Sequence, residues 1–180
     1  IARYDHDRNF PSITGSSRLS PHLHFGEISP ASVWYQCAGH ARGAAEPYLR
    51  EIGWRDFANN VVDMFPDYAT RNGRAAFDRF PWRDDEAGFA AWTKGRTGYP
   101  IVDAGMRELW ATGWMHNRVR MIAASFLIKH LLIDWRRGER WFWDTLVDAD
   151  LASNAQNWQW VAGSGVDSAP FYRIMAPLAQ

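Results

Sequence analysis

Apolar residues along this chain recur at helical spacing far more often than in the alternation of strands. Leu49, Ile52, Phe57 and Val61 fall on one side of a segment from Pro47 to about Met64, which reads as a helix. Ahead of it, Ser29-Pro30 supplies an N-cap and a first-turn proline for a helix reaching about Gly43. Residues 65–83 are rich in Pro, Asp, Arg and Gly and read as loop, ending at Phe80-Pro81-Trp82. Asp84 or Asp85 caps a short helix to Lys94, with Gly95 just past its end. Gly98-Tyr99-Pro100 turns into a helix from about Ile101 to Thr112, closed by Gly113. Trp114 to about Ile133 reads as the longest helical run, and Trp135 to Val147 as another, interrupted or preceded by Gly138. No repeat period or low-complexity segment appears. The expected fold class is all-α: one compact multi-helix domain over residues 1–180.

The stretch Asp148-Ala149-Asp150-Leu151-Ala152-Ser153-Asn154-Ala155-Gln156-Asn157-Trp158-Gln159-Trp160 stands outside this pattern. Acids spaced i,i+2 can both face one polar ligand from a turn. Trp158 and Trp160 share that spacing, so they face different directions in any regular backbone. The competing reading is a loop whose indoles plug the core.

Composition narrows the chemistry. Lys plus Arg is 20 and Asp plus Glu is 20, so a nucleic-acid partner needs a local basic face. Between Gly113 and Arg140 six cations (Arg118, Arg120, Lys129, Arg136, Arg137, Arg140) stand against Asp134 and Glu139. This is either a phosphate-facing patch or a solvated helix face. Trp114, Asn117 and Met121 share one side of that helix, with Arg118 and Arg120 expected to point elsewhere. A single Cys, Cys37, excludes an internal disulfide and fits a reducing, cytoplasmic setting. No apolar run is long enough for a membrane span. The six His show no zinc spacing with Cys, so no metal site is expected, and His116 reads as structural. Nucleotide-binding and hydrolase Gly motifs are missing. Gly15-Ser16-Ser17-Arg18-Leu19-Ser20-Pro21 offers free backbone N–H groups at a helix start, an anion cradle or a plain N-cap. The 11 Trp are the outlier. Trp34, Trp110 and Trp141 are expected to be packing; the surplus suits flat ligands or redox relay. Cradle, paired acids, basic face and indoles together suggest a flat, phosphate-bearing cofactor beside nucleic acid.

The motifs resemble those of the FAD-binding helical domain of the DNA photolyase/cryptochrome family. They are Gly15 to Ser20, Glu51-Ile52-Gly53-Trp54-Arg55, Trp92 to Asp103, Thr112 to Met121, Asp148-Ala149-Asp150 and Asn157-Trp158-Gln159-Trp160, in family order over essentially all 180 residues. Lacking an initiator Met, the chain reads as a fragment without the family's N-terminal antenna domain, where an antenna chromophore is expected, or the extreme C-terminus. The resemblance implies a U-shaped FAD, active when reduced. Tyr4, Ser16, Ser17, Arg18, Leu19 and Ser20 would cradle its phosphates, and Tyr48, Arg55 and Arg120 would contact it. Asp148, Ala149 and Asp150 would line the isoalloxazine, with Asp148 paired to Arg120 and Asp150 accepting from the imide N–H. Asn154 would face N5, its amide able to accept or donate.

The same resemblance implies that Trp158, Trp135 and Trp82 relay electrons and that Trp54 and Trp160 flank a flipped lesion. Glu51 would bond the lesion's base edge. Asn117 and Met121 would complete the pocket, with Arg8, Arg55, Arg118 and Gln180 as DNA or pocket contacts. Asn117, Met121 and Asn154 point to light-driven repair of cyclobutane pyrimidine dimers, nearest class I photolyases, by a monomer acting on damaged DNA. The alternative is a cryptochrome-like photoreceptor without repair.

Overall fold

The computed structural model describes residues 2–39 and 43–178, and its regular elements are all helical. They are α1 (Tyr4–Asp7), α2 (Ser20–His24), α3 (Pro30–Ala38), α4 (Glu46–Met64), α5 (Glu86–Thr93), α6 (Pro100–Thr112), α7 (Asn117–Ser125), α8 (Trp135–Thr145) and α9 (Leu151–Ala162). A 3-10 turn at Ala75–Arg79 and a π-helical turn at Phe126–His130 complete them. Among the described residues there is no strand, as the hydrophobic pattern requires.

Local chemistry sets the boundaries. Ser29 Oγ accepts from the Ser32 N–H at 3.0 Å and Pro30 opens α3. Asp85, of the two acids expected, caps α5 by accepting from the Gly88 N–H at 2.7 Å. Gly113, at φ 70°, ends α6 in the left-handed conformation that suits glycine.

Three expectations need correction. Trp114, Met115 and His116 are not helical: His116 Nδ1 accepts from the Arg118 N–H at 3.2 Å, so the imidazole acts as an N-cap and α7 begins at Asn117. The longest helix is therefore α4, with 19 residues. Gly138 does not interrupt α8. A Cβ there would lie 2.2 Å from Trp158 Cη2 and 2.6 Å from Leu127 Cδ2, so its role is the close approach of α8 to α9. Finally, the Asp148–Trp160 stretch is no loop. Asp150 accepts from the Ser153 N–H at 2.9 Å and starts α9, which runs through both indoles to Gly163.

The core gathers Trp92, Met106, Leu109, Leu127, Ile128, Trp135, Phe142 and Trp158 between α5 and α9. Trp92, fully buried, donates Nε1–H to the Ala123 carbonyl at 3.0 Å and so satisfies its polar atom. Trp34 and Trp110, expected as packing, are instead exposed, at 44% and 71%. Trp110 stacks on the half-buried Trp141, ring centroids 5.9 Å apart. Helix α9 is buried on nearly every side and packs against α4, α7 and α8, so its polar residues must meet partners or a ligand.

Candidate functional site

The N-terminal half of α9, with Asp148 to Asp150 ahead of it, forms one wall of an inner chamber of 100 Å³. Phe142, Leu146, Trp158 and Val161 give this chamber apolar faces; Asp148, Asp150 and Asn154 give it a polar edge. Asp148 is buried and accepts three bonds. Arg120 Nη1 and Nη2 donate at 3.0 and 2.9 Å, and Ser20 Oγ donates at 2.6 Å. The fork-on-carboxylate geometry fixes Arg120 firmly, and its Nε is spent on the Met115 carbonyl at 2.7 Å. The expected Arg120–Asp148 pair is thus present. Asp150 is more committed than expected. One oxygen caps α9 and the other accepts from Arg55 Nη2 at 2.9 Å, which leaves lone pairs but no free oxygen.

Asn154 is 8% exposed, and its Nδ2 donates to the Glu139 side chain at 2.9 Å and the Glu139 carbonyl at 3.1 Å. With both N–H groups held, the carbonyl Oδ1 is turned away from Glu139. The expectation that this amide could accept or donate is therefore narrowed: it presents an acceptor. Burial pushes the Glu139 carboxyl above the usual range, opposed by the bond from Asn154.

An outer chamber of 280 Å³ joins the inner one through Asn117, Arg120, Asp148 and Ser153. Together they fall in the range of small-molecule sites, about 300–1,000 Å³. Tyr4, Arg8, Ser16, Ser17, Arg18, Leu19, Ser20, Tyr48, Glu51 and Arg55 all line the outer part. Buried Tyr48 donates its hydroxyl to Ser17 Oγ at 3.0 Å and meets the Tyr4 ring edge-on at 5.0 Å, so it braces the serine loop. Arg18 sits at φ 54°, unusual for a side-chain-bearing residue, and its guanidinium lies 4.3 Å over the Trp114 ring. Among the described residues, the backbone N–H groups of Ser16, Ser17 and Arg18 find no protein acceptor. Three such donors beside serine hydroxyls form a concavity suited to phosphate oxygens. Burial and the nearby Arg118 and Arg120 push the His116 pKa down, consistent with its neutral, accepting role as a cap.

A groove of 420 Å³ opens beside these chambers, lined by Arg8, Glu51, Trp54, Arg55, Asn117, Arg118, Met121 and Trp160. Every DNA-contact residue expected from the resemblance is here except Gln180, which lies outside the described residues. Trp54 is 49% exposed. Glu51 is ion-paired with Arg8. Arg118 does not point away from Asn117 and Met121. Its Nη1 lies 3.8 Å from Met121 Sδ, and its Nε donates to Asn9 Oδ1 at 3.0 Å. The basic patch dissolves, because most of its cations are engaged separately. Arg120 holds Asp148, Arg136 holds Asp134, Arg137 holds Glu86, and Lys129 donates to backbone carbonyls.

Of the relay indoles, Trp158 walls the inner chamber at 2% exposure. Trp135 is fully buried, with Nε1–H donated to Asn72 Oδ1 at 2.9 Å, and Trp82 is partly exposed on Phe80, 4.3 Å between ring centres. Trp158 and Trp135 are thus buried, and of the three Trp82 alone is partly exposed. Sequence reasoning missed Glu139, Gln156 and Arg173. Gln156 and Arg173 line the groove, and Arg173 lies 5.5 Å over the Trp160 ring. With α9 read as a loop, nothing placed position 156 on the face of position 160. Among the described residues there is no metal-ligand cluster and no helix long and apolar enough to cross a membrane.

Fold and site define a helical cofactor-binding domain: an apolar slot with a polar edge, a hydroxyl and N–H cradle, and an aromatic groove alongside. Residues 48–180 match the model of the FAD-binding domain of DNA photolyase, and the chain belongs to that family. It is 60% identical, over 98% of its length, to a deoxyribodipyrimidine photo-lyase of Agrobacterium fabrum, covering 38% of that protein. It is 45% identical to the Escherichia coli protein of the same name, covering 98% of this chain and 39% of that one. The chain thus spans under two-fifths of these relatives. A crystal structure of a class III photolyase from Agrobacterium tumefaciens matches with a TM-score of 0.95 and 58% identity, over 98% of this chain and 38% of that one. The class I expectation therefore stands beside a class III neighbour. A Synechocystis cryptochrome matches with a TM-score of 0.88 and 37% identity, over 96% of this chain and 37% of that one.

Proposed function

We propose that this chain is the FAD-binding, catalytic domain of a photolyase that repairs cyclobutane pyrimidine dimers in DNA by light-driven electron transfer. The carrying observation is the shared wall of α9, which gives Asn154 and Trp158 to the inner chamber and Trp160 to the groove. The residues fit the cofactor. Ser16, Ser17 and Arg18 would hold the pyrophosphate, and the apolar slot would take the ring system. The Asn154 acceptor would suit an N–H at its edge, as the reduced form offers. When bound and reduced, FAD supplies light absorption and the one-electron donor.

The chain's own groups do the rest. Arg120 and Asp148 fix the floor between the two chambers. Trp54 and Trp160 offer flat faces to two covalently joined pyrimidines taken out of the stack, a step of a few kcal/mol. Glu51 accepts from a base edge, with Arg8 holding its carboxylate in place. Arg118 and Arg173 meet phosphate or base. Trp82, Trp135 and Trp158 resupply electrons from the surface. The protein is proposed to act as a cytoplasmic monomer, with residues 1–180 as one domain.

The rival reading is a flavin photoreceptor without repair, favoured by the cryptochrome neighbour. The site is tested first by binding. The FAD-loaded protein should prefer an oligonucleotide with one thymine dimer over the undamaged strand by about a hundredfold. Trp54→Ala and Trp160→Ala should each remove about 1–3 kcal/mol of that preference. Equal affinity for the two strands would contradict the proposal.

A further inference from the structure

The groove contains one polar group for which neither the fold nor the proposed chemistry has yet supplied a partner. Gln156 stands one helical turn before Trp160 on α9, and Ser153, Gln156, Asn157 and Trp160 all line the groove. The residue is 7% exposed. Its Oε1 is buried and accepts no hydrogen bond, the one such side-chain atom among the described residues. Its Nε2 has a single long bond, 3.4 Å to the Asp167 carbonyl. That bond fixes which way the amide lies. Turned over, the Gln156 carbonyl would face the Asp167 carbonyl, acceptor against acceptor. An unpaired buried carbonyl is costly, and proteins seldom keep one without a use.

The atom is closed to solvent as the side chain lies, so a donor in the groove meets it only once the amide turns toward the groove. Of the groove's four guanidinium groups, Arg8 is engaged with Glu51, Arg55 with Asp150 and Arg118 with Asn9, while Arg173 lies over the Trp160 ring and makes no bond to Gln156. A phosphate or a base carbonyl brings only acceptors. The groups in a pyrimidine that donate in the plane of the base are its imide and exocyclic N–H. Glu51 on α4 already offers one acceptor to this groove, and a covalently joined pyrimidine pair carries two imide edges.

We infer that Gln156 is a specificity-determining contact, its Oε1 accepting an imide N–H from the pyrimidine that Glu51 does not hold. This rests on the proposed pyrimidine-dimer reading. It makes Gln156 a reader of the base edge, with the stacking on Trp54 and Trp160 left to hold the ring faces. The long tie to Asp167 leaves the amide able to adjust by the small rotation that such a bond needs.

The test compares the FAD-loaded protein with Gln156→Met, which keeps length and removes the acceptor, and Gln156→Glu, which keeps an acceptor. Affinity is measured for an oligonucleotide with one thymine dimer, for the same dimer N3-methylated on both bases, and for undamaged strand. Gln156→Met should bind the dimer about tenfold more weakly, the effect of one buried hydrogen bond. Its affinity for undamaged strand and its bound FAD spectrum should not move, and its melting temperature should not fall, because the change also removes a buried unpaired carbonyl. Gln156→Glu should recover part of the loss. N3-methylation should weaken the parent, and the Gln156→Met change should then add little, as expected for coupled partners. Unchanged dimer affinity in Gln156→Met would overturn the inference. So would a loss shared equally by dimer and undamaged strand, which is what a purely structural amide gives. A parent protein that does not prefer the dimer at all would instead sink the functional reading and this inference with it.

Discussion

Asn154 gives both amide hydrogens to Glu139, one to the side chain at 2.9 Å and one to the backbone at 3.1 Å, and so presents only its carbonyl to the inner chamber. The pair decides what the chamber's edge can recognise. An amide free to turn would greet a donor or an acceptor alike; this one is set for a donor.

Asn154→Asp should therefore be unfavourable in two ways. It places a second carboxyl against Glu139, whose pKa burial already raises. Two carboxyls in contact share a proton, so the pair's affinity for that proton rises further. A raised folded pKa gives stability that is present at low pH and lost as pH rises through it. The variant should be less stable than the parent by about 1–3 kcal/mol at neutral pH, with the gap closing toward pH values near the ordinary carboxylate range. Urea midpoints across that range check it. The reduced cofactor should also survive air for a shorter time in the variant.

Gly138→Ala tests the α8–α9 approach. Alanine favours a helix by about 1 kcal/mol over glycine. Here its Cβ would fall 2.2 Å from the Trp158 ring. Overpacking should win, leaving a net destabilisation of about 1–3 kcal/mol in chemical denaturation. FAD affinity should fall too, because Trp158 walls the chamber.

Lys129 ties the segment after α9 to the bundle. Its Nζ donates to the Ala162 carbonyl at 3.2 Å and the Phe171 carbonyl at 2.8 Å, and lies 3.7 Å from the Phe171 ring centre. Burial pushes its pKa down to about 8. The folded state then binds this proton less tightly than the unfolded chain, so its contribution to stability rises with pH from about 8 toward the ordinary lysine range. Lys129 is half-buried, and solvent screening reduces the effect to about 1 kcal/mol. Lys129→Met should flatten that rise in urea midpoints and make the segment after α9 more open to proteases.

Trp158→Phe should keep the fold and still bind FAD, since the smaller ring keeps an aromatic wall against Phe142. Light-driven reduction of oxidised FAD should slow sharply, and repair by chemically pre-reduced protein should persist. Transient absorption separates the two.

Much of this site was legible in order but not in shape. Ser29-Pro30, Asp85 and Gly113 announced their helix ends because capping is local chemistry. Helix α9 did not. Ala152, Asn154, Ala155, Gln156, Trp158, Gln159, Val161 and Ala162 are all buried, so the helix has no polar face and its apolar residues trace no stripe. Periodicity finds helices that border water; this one is surrounded. The start of α7 was misplaced for a different reason: His116 is structural, as read, but an imidazole cap has no simple sequence signature. The family motifs located Asp148, Asp150 and the indoles, yet gave no hint of Glu139, whose partner lies across a helix interface. Nor did they mark Gln156, whose meaning depends on the helix that the pattern concealed.

The central claim is that the groove and the inner chamber serve one reaction. The most direct measurement is the amount of thymine dimer converted to thymines in a bound oligonucleotide, with reduced FAD loaded, in light and in darkness. The account predicts conversion in light alone and its reduction in Glu51→Gln. A protein that holds FAD and binds the dimer yet converts none in light would contradict it.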